Sequence, residues 1–203
     1  MNNMKLLVFT DTHNSSTAEK KIIEKADKNK PEIMLCAGDF TIFMNDAEKF
    51  LKKLNSLNIT TYLIHGNHED EDDVKKICKK FKNITFLHNL VAIHKNLLIM
   101  GYGGGGFSYH DSMFEIAAKQ FEKVIRQYKH HKKILLLHQP PHKSGIDLVY
   151  GEHAGNINTK RFIEKHKIHV VIAGHLHENS GMEYTIKETK YINPGPFGKI
   201  INI

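Results

Sequence analysis

The sequence predicts an α/β fold built on mixed β-sheets, and two observations support this. Short apolar runs of strand length alternate with helix-like segments near both ends of the chain, which indicates βαβ units with largely parallel pairing. In the middle and at the end, short runs follow one another at hairpin spacing, which adds antiparallel strands and indicates more than one sheet. The pattern contains no linker or repeat, so we expect one domain over residues 1–203.

The first third of the chain alternates strands and helices. KLLVF predicts a strand before a polar helix at about residues 18–29, and EIMLCA predicts the second strand. Apolar residues at helical spacing over residues 47–57 predict the next helix, with Asp46 as its cap. TTYLI predicts a third strand, and a charged helix follows near residues 72–81.

The rest of the chain mixes hairpins with further helices. ITFLH, VAIH and LLIMGY predict short strands that end in the loop GYGGGGFSYHD. Ser112 and Glu115 have the spacing of a capping box and predict the start of a long helix. KILLL predicts the next strand, and HVVIA follows a helix near residues 159–167. MEYTI, KYIN and KIINI predict the closing strands.

The composition is that of an ordinary soluble globular protein, with 40% hydrophobic and 25% charged residues. The apolar runs are too short to span a bilayer, so we expect no membrane partner. The first residues lack the features of a secretory signal, which predicts a cytoplasmic location. Cys36 and Cys78 lie in apolar or helical patterns and predict core packing rather than a disulfide framework.

The net charge of +7 favours an anionic partner. We expect a small phosphorylated substrate. A nucleic-acid partner is an alternative that the sequence does not favour, because the lysines are spread over helix faces and form no long basic tract. The sequence leaves the oligomeric state open.

Polar side chains able to bind metal follow each of the five strong strand candidates. Because the carboxyl ends of strands in an open α/β sheet meet in one crevice, we expect these side chains to lie close together. The seven candidates are Asp11, His13, Asp39, Asn67, His138, His175 and His177. A single D-x-H or G-N-H segment is also typical of a helix cap or a turn, so the argument depends on the complete set.

The chemistry of this set points to two ions. Two carboxylates, one amide oxygen and four imidazoles suit Mn, Fe, Co, Ni or Zn better than Ca or Mg. Seven donors are too many for one catalytic ion with open positions. Two ions about 3.5–4 Å apart, bridged by one carboxylate, can hold a hydroxide between them and stabilise an in-line displacement.

The segments DTH, GDF, GNHE, LLLHQPP and GHLH together resemble the motifs of the calcineurin-like metallophosphoesterase superfamily. GYGGGG, HQPPHKSGIDLVYGEHAG and INPGP resemble a compact branch of it, the Icc-related predicted phosphoesterases. The resemblance implies a four-layer α/β/β/α sandwich, in which two mixed β-sheets flanked by helices carry a dinuclear site at their edge. NPGP replaces the NPGS of many members, so a hydroxyl is missing there.

The resemblance also implies individual roles and two divalent ions, of which we favour Mn over Fe, Ni, Co and Zn. One ion would be held by Asp11, His13 and His177, the other by Asn67, His138 and His175, with Asp39 bridging them. His68 would be the catalytic residue that stabilises the transition state or protonates the leaving oxygen, oriented by Glu69 or another nearby carboxylate.

Substrate contacts are expected from Asn67 and His68, and further candidates are His153, Gly104 and Gly105. The run of four glycines has two interpretations, a backbone cradle for a phosphate or a turn between a strand and a helix. His153 is either a pocket residue or an exposed loop histidine.

The function predicted first is a dinuclear-metal-dependent phosphoesterase that hydrolyses a phosphodiester, and also a phosphomonoester, through a metal-bridging hydroxide. One alternative is a nuclease that uses the same site on DNA or RNA, which salt-sensitive binding of oligonucleotides would favour. Another is a non-catalytic protein-interaction scaffold of the same fold. The complete set of ligand positions together with His68 argues against the scaffold.

Overall fold

The computed structural model describes residues 4–203, which form two packed β-sheets flanked by helices. The predicted four-layer sandwich is therefore confirmed. The strands are β1 (Lys5–Phe9), β2 (Ile33–Cys36), β3 (Thr60–Leu63), β4 (Ile84–Phe86), β5 (Leu90–His94), β6 (Leu97–Tyr102), β7 (Lys132–Leu137), β8 (Leu148–Val149), β9 (Glu152–His153), β10 (Val170–Ile172), β11 (Glu183–Ile186), β12 (Thr189–Ile192) and β13 (Lys199–Asn202). The α-helices are α1 (Ser16–Asn29), α2 (Ala47–Ser56), α3 (Glu71–Cys78), α4 (Ser112–Gln127) and α5 (Ile157–His166).

The first sheet has the order β13-β1-β2-β3-β4. Its strands β1 to β4 are parallel, and β13 pairs antiparallel with β1. The second sheet has the order β11-β12-β10-β7-β6-β5, with parallel central strands and antiparallel strands at both edges. Both sheets are thus mixed, as predicted. β8 and β9 form a separate small hairpin within the loop before α5.

The alternation of side chains along β1 shows how the layers pack. Leu6 and Val8 lie in the core between the two sheets, together with residues such as Ile134 and Ile172 of the second sheet. Leu7 and Phe9 point the other way and pack beneath α1, α2 and α3. Because successive side chains of a strand face opposite sides, one continuous apolar run serves both cores. The outer face of the second sheet packs in the same way against α4 and α5.

The structure differs from the sequence interpretation in strand partners and in two caps. β4 joins the first sheet as a parallel strand instead of forming a hairpin with β5, and β13 returns to β1 instead of pairing with β12. Asp111, rather than Ser112, caps α4 by accepting hydrogen bonds from the N–H groups of Met113 and Phe114. Asp46 precedes α2 in a left-handed conformation and makes no side-chain capping bond.

The parallel strands bring their carboxyl ends to one edge of the molecule. β1, β2 and β3 end side by side in the first sheet, and β7 and β10 end side by side in the second. Within residues 4–203, no helix has both the length and the hydrophobicity that a bilayer crossing requires.

Candidate metal centre

Backbone hydrogen bonds hold the segments after the five strands against one another. The N–H groups of Asp11 and His13 donate to the carbonyls of Gly38 and Asp39 at 3.0 and 3.1 Å, which joins the ends of β1 and β2. The N–H of His175 donates to both carboxylate oxygens of Asp11, at 3.2 and 3.1 Å. This last contact links the first sheet to the second, so the two edges meet at one place.

The first half of the site contains Asp11, His13 and His177, whose potential ligand atoms all lie within 4.8 Å of one another. The Nε2 atoms of His13 and His177 are 3.1 Å apart, and Nε2 of His177 lies 3.8 Å from Oδ1 of Asp11. Burial lowers the pKa of His13, which keeps its imidazole neutral and able to bind a cation. Burial also raises the pKa of Asp11, although the charges of His138 and His177 oppose that rise.

The second half contains Asn67, His138 and His175. Oδ1 of Asn67 lies 3.0 Å from Nε2 of His138 and 2.8 Å from Nδ1 of His175. Burial, followed by the positive charge of His138, lowers the pKa of His175 to about 4, so His175 is neutral at pH 7. An amide oxygen and two ring nitrogens therefore converge on one point.

Asp39 lies between the two halves. Its Oδ2 is 3.7 Å from Nε2 of His13 in the first half and 3.4 Å from Nε2 of His138 in the second. Its Oδ1 accepts the backbone N–H of His68 at 2.9 Å. Burial opposes the ionisation of Asp39, yet hydrogen bonding to His138 and the charge of His138 lower its pKa to about 2. The structure thus presents one ionised oxygen to both halves.

The donor set fits divalent cations because lone pairs on ring nitrogens and on carboxylate and amide oxygens face one another. Nδ1 of His138 lies 2.8 Å from the carbonyl oxygen of Ala37, which can only accept a hydrogen bond, so this nitrogen carries a proton. In the neutral ring, Nε2 then directs a lone pair at the oxygens of Asn67 and Asp39. Burial alone lowers the pKa of His138, but hydrogen bonding to Asp39 and the charges of Asp39 and Asp11 raise it overall. The surroundings therefore stabilise positive charge at this point.

Four of the seven candidate donors have a left-handed backbone. The φ angles of Asp11, His13, Asp39 and His175 are 54°, 42°, 49° and 67°. Such values are uncommon outside glycine, although Asp and His tolerate them better than most residues, and they are concentrated at functional sites. The strand ends therefore turn sharply here and direct their side chains into the site.

Two glycines allow the segments to approach closely. A Cβ atom on Gly66 would lie 2.0 Å from Oδ1 of Asp39, and one on Gly174 would lie 2.0 Å from Oγ1 of Thr10. Any larger residue at either position would displace a strand end. This explains the glycine that precedes Asn67 and the one that precedes His175.

His68 lies beside the first half of the site. The ring centroids of His13 and His68 are 4.9 Å apart, and a ligand atom of His68 falls within 4.8 Å of those of His13 and Asp39. Nδ1 of His68 is buried without a hydrogen-bond partner among the described residues. The position gives His68 access to a ligand bound between the halves, and it is also compatible with metal binding.

Glu69 contacts the backbone of the site. The residue is only 7% exposed, and Oε2 accepts the N–H groups of Asp39 and Gly66 at 2.9 and 2.7 Å. Oε1 accepts the N–H and the hydroxyl of Thr41, both at 2.8 Å. Burial raises the pKa of Glu69, while the bonds from Gly66 and Thr41 lower it. These four donors to one carboxylate fix the loops after β2 and β3 around Asp39.

We expect Glu69→Gln to weaken metal binding by about 10- to 100-fold, the effect typical of residues that orient a ligand. The amide has one accepting oxygen, so its NH₂ group must face at least one backbone N–H. That mismatch should also lower the free energy of unfolding by about 1–3 kcal/mol. Metal titration and urea denaturation measure the two effects. Glu24→Gln, an exposed carboxylate on α1, should change neither quantity; unchanged metal affinity in Glu69→Gln would contradict the orienting role.

The remaining predicted substrate contacts are Gly104, Gly105 and His153, and contacts within the protein are found for two of them. The N–H of Gly104 donates to the carbonyl of His65 at 2.9 Å, so that amide is not available to a phosphate. Gly104 and Gly105 both have positive φ, as expected for a turn. His153 belongs to β9, and its Nδ1 lies 3.1 Å from the carboxylate oxygens of Asp147.

Sequence reasoning missed two residues that fix loops around the site, Asn14 and Gln139. Asn14 bonds the backbone of Ile42 and Asn45, and Gln139 donates to the carbonyl of Ser108. The one available signal was position, since each amide directly follows a candidate histidine ligand.

The model of the family described as calcineurin-like phosphoesterase matches residues 4–179. Among curated proteins, the chain is 29% identical over 133 residues to the DNA double-strand break repair protein Mre11 of Methanocaldococcus jannaschii, covering 59% of this chain and 36% of that protein. It is 26% identical over 126 residues to a probable glycerophosphodiester phosphodiesterase, GpdQ, of Arcobacter nitrofigilis, covering 59% of this chain and 46% of that protein. The alignments thus span less than half the length of these curated relatives.

A solved structure supports the fold. The protein TT1561 of Thermus thermophilus superposes with a TM-score of 0.76 at 15% identity, covering 97% of this chain and 91% of that one. At this identity the likeness concerns the fold alone.

Proposed function

The chain belongs to the calcineurin-like phosphoesterase family, and from this premise we propose that it is a hydrolase that cleaves a phosphodiester with two divalent metal ions. The phosphomonoesters are a second substrate class of the same site. Mn is the ion we favour, with Fe, Ni, Co and Zn as alternatives of the same ligand preference.

The position of Asp39 is the observation that carries this proposal. One carboxylate oxygen lies 3.7 Å from a nitrogen of His13 and 3.4 Å from a nitrogen of His138. His13 forms a possible ligand group with Asp39 and His68, and His138 forms another with Asp39 and His175, so these two groups share only Asp39. We propose that Asp39 bridges two ions, one held by the first half of the site and the other by the second half.

Bound ions would activate water as the nucleophile and neutralise charge on the phosphate. The protein's own part is to hold the imidazoles and carboxylates in place before substrate arrives, so that little reorganisation is needed. We propose that His68 contacts the substrate and protonates the leaving oxygen. This role suits esters whose leaving group is an alkoxide, because a poor leaving group gains most from a proton.

A nuclease is the second candidate function, and the similarity to Mre11 favours it. Two observations argue against it. The shared segment leaves most of Mre11 unmatched. The surface lysines of this chain pair frequently with acidic residues, for example Lys165 with Glu122 and Lys199 with Glu183. Both observations favour a small phosphorylated substrate. The protein-interaction scaffold is the third candidate, and the full set of donors argues against it.

We further infer that residues 1–203 act as one domain and that the protein works in the cytoplasm. The core between the two sheets and the two outer cores draw alternate residues from the same strands, which supports the first inference. Cys36 and Cys78 are both buried and free, which is consistent with a reducing compartment.

We expect the purified protein loaded with Mn to hydrolyse ethyl p-nitrophenyl phosphate, to lose this activity after dialysis against a chelator, and to regain it when Mn is returned. Release of p-nitrophenolate measures the rate. Cleavage of single-stranded DNA that weakens as salt rises would favour the nuclease instead. Absence of turnover of both substrates with Mn, Fe, Co, Ni and Zn would contradict the enzyme assignment.

A further inference from the structure

Two phenylalanine side chains lie exposed beside the candidate metal centre. Phe43 is 74% exposed and Phe107 is 69% exposed. The ring centroid of Phe43 is 5.1 Å from that of His68, and the ring centroid of Phe107 is 4.7 Å from that of His175. Each ring therefore contacts a site imidazole while most of its surface remains open to solvent.

The backbone that carries Phe43 is fixed by Asn14. Oδ1 of Asn14 accepts the N–H of Ile42 at 2.5 Å, and its Nδ2 donates to the carbonyl of Asn45 at 2.6 Å. One side chain thus holds the loop on both sides of Phe43. Phe43 itself has a φ of 48°, an unfavourable conformation for an aromatic residue and one that persists where surrounding structure enforces it.

The backbone that carries Phe107 is fixed in a similar way. The carbonyl of Ser108 accepts hydrogen bonds from Nε2 of Gln139 at 3.0 Å and from Nδ2 of Asn156 at 3.1 Å. Gln139 follows His138 directly, just as Asn14 follows His13. Each loop is therefore attached to a segment of the site, so the positions of both rings are coupled to the positions of the donors.

The two rings border different halves of an open site. Phe43 contacts His68, whose ring lies 4.9 Å from that of His13 in the first half, and Phe107 contacts His175 in the second half. The side chain of His177 is 59% exposed, so the site opens to solvent beside this donor. An organic group attached to a phosphate at such a site meets the rim rather than the floor of a deep pocket.

We propose that Phe43 and Phe107 form an aromatic rim that binds a flat, ring-containing ester group of the substrate, such as an aryl or nucleoside group. This inference rests on the proposed function, because it places the phosphate at the metal centre. A phenyl ring has no hydrogen-bonding group and offers only its face and edge, which another planar ring contacts more favourably than an aliphatic group does. Stacking of this kind accepts any base and supplies affinity without reading sequence.

Three phosphonates test the rim, because they share the anionic group and resist hydrolysis. Phenylphosphonate, cyclohexylphosphonate and methylphosphonate differ in a flat ring, a bulky aliphatic ring and a single methyl group. Isothermal titration calorimetry with the Mn-loaded protein should give a Kd for phenylphosphonate about tenfold below that for cyclohexylphosphonate, the order expected for one stacking contact. Phe43→Leu and Phe107→Leu keep apolar surface but remove the flat face. They should therefore reduce the ratio of the Kd for cyclohexylphosphonate to the Kd for phenylphosphonate.

Tyr150→Ala is the matched control, since Tyr150 is a 98% exposed ring on the β8–β9 turn that stacks on none of the site histidines among residues 4–203. It should leave the ratio unchanged. Equal binding of phenylphosphonate and cyclohexylphosphonate, or a ratio that neither leucine variant reduces, would overturn the inference. Turnover of ethyl p-nitrophenyl phosphate tests the proposed function separately. Preferential binding of phenylphosphonate without turnover would support the aromatic rim and contradict the enzyme assignment. Turnover without that preference would support the enzyme assignment and contradict the rim.

Discussion

His68→Ala is expected to lower kcat by about 10²- to 10⁴-fold for a diester with an alkoxide leaving group, the range typical of a general acid. The loss should be smaller with a p-nitrophenyl leaving group, which departs readily without a proton. His68 lies beside the first half of the site, with its backbone N–H on Asp39 and its ring against His13. Measuring kcat of the original chain and of His68→Ala with both diesters gives the loss for each leaving group.

The metal content of His68→Ala decides between the two roles that its position allows. A general acid can be removed while both ions stay bound, so atomic emission should still find two ions per chain. His130→Ala, which removes an exposed histidine after α4, is the control for handling and folding. Loss of one ion together with activity would identify His68 as a ligand in the group it forms with His13 and Asp39.

Asp39→Asn is expected to abolish occupancy by two ions and to lower activity by more than about 100-fold. Mutation of a residue that only orients a metal ligand lowers metal affinity by about 10- to 100-fold. The loss of a bridging ligand should lower it further. The substitution keeps an oxygen for the N–H of His68 but can place an NH₂ group between His13 and His138. An NH₂ group cannot bind a cation. The substitution also removes the negative charge that both halves share.

Thermal unfolding measures this effect independently of catalysis. A ligand that binds only the folded state raises Tm, so added Mn should stabilise the original chain markedly and Asp39→Asn weakly. Asp147→Asn is the control, because Asp147 is also buried and pairs with a histidine but belongs to neither half of the site. Equal Mn-induced shifts in Tm for the original chain and Asp39→Asn would refute the bridging role.

Strand ends were predictable from the sequence because two strong physical signals coincide there. A buried parallel strand appears as a continuous apolar run, and its end appears where polar residues begin, as at Thr10 or His138. Within each sheet, the convergence of these ends follows from parallel pairing. Their assignment to ligand roles remains a prediction that the metal-content measurements test.

Strand partners and side-chain tethers were not predictable in the same way. The run that forms β4 has hairpin spacing to β5, but its pairing with β3 depends on tertiary packing that no local pattern records. Glu69 has several possible partners in the sequence, and only the fold brings it to the backbone of Asp39, Thr41 and Gly66. The left-handed φ angles of the donors likewise depend on contacts between distant segments.

The origin of the donors in both sheets has a consequence for the stability of the whole protein. Asp11, His13, Asp39 and Asn67 follow strands of the first sheet, whereas His138, His175 and His177 follow strands of the second. Each ion in the proposed arrangement would draw ligands from both and so act as a cross-link between them. Separation of the sheets would then require release of the ions, and the supply of metal in the cell would influence how long the folded chain survives.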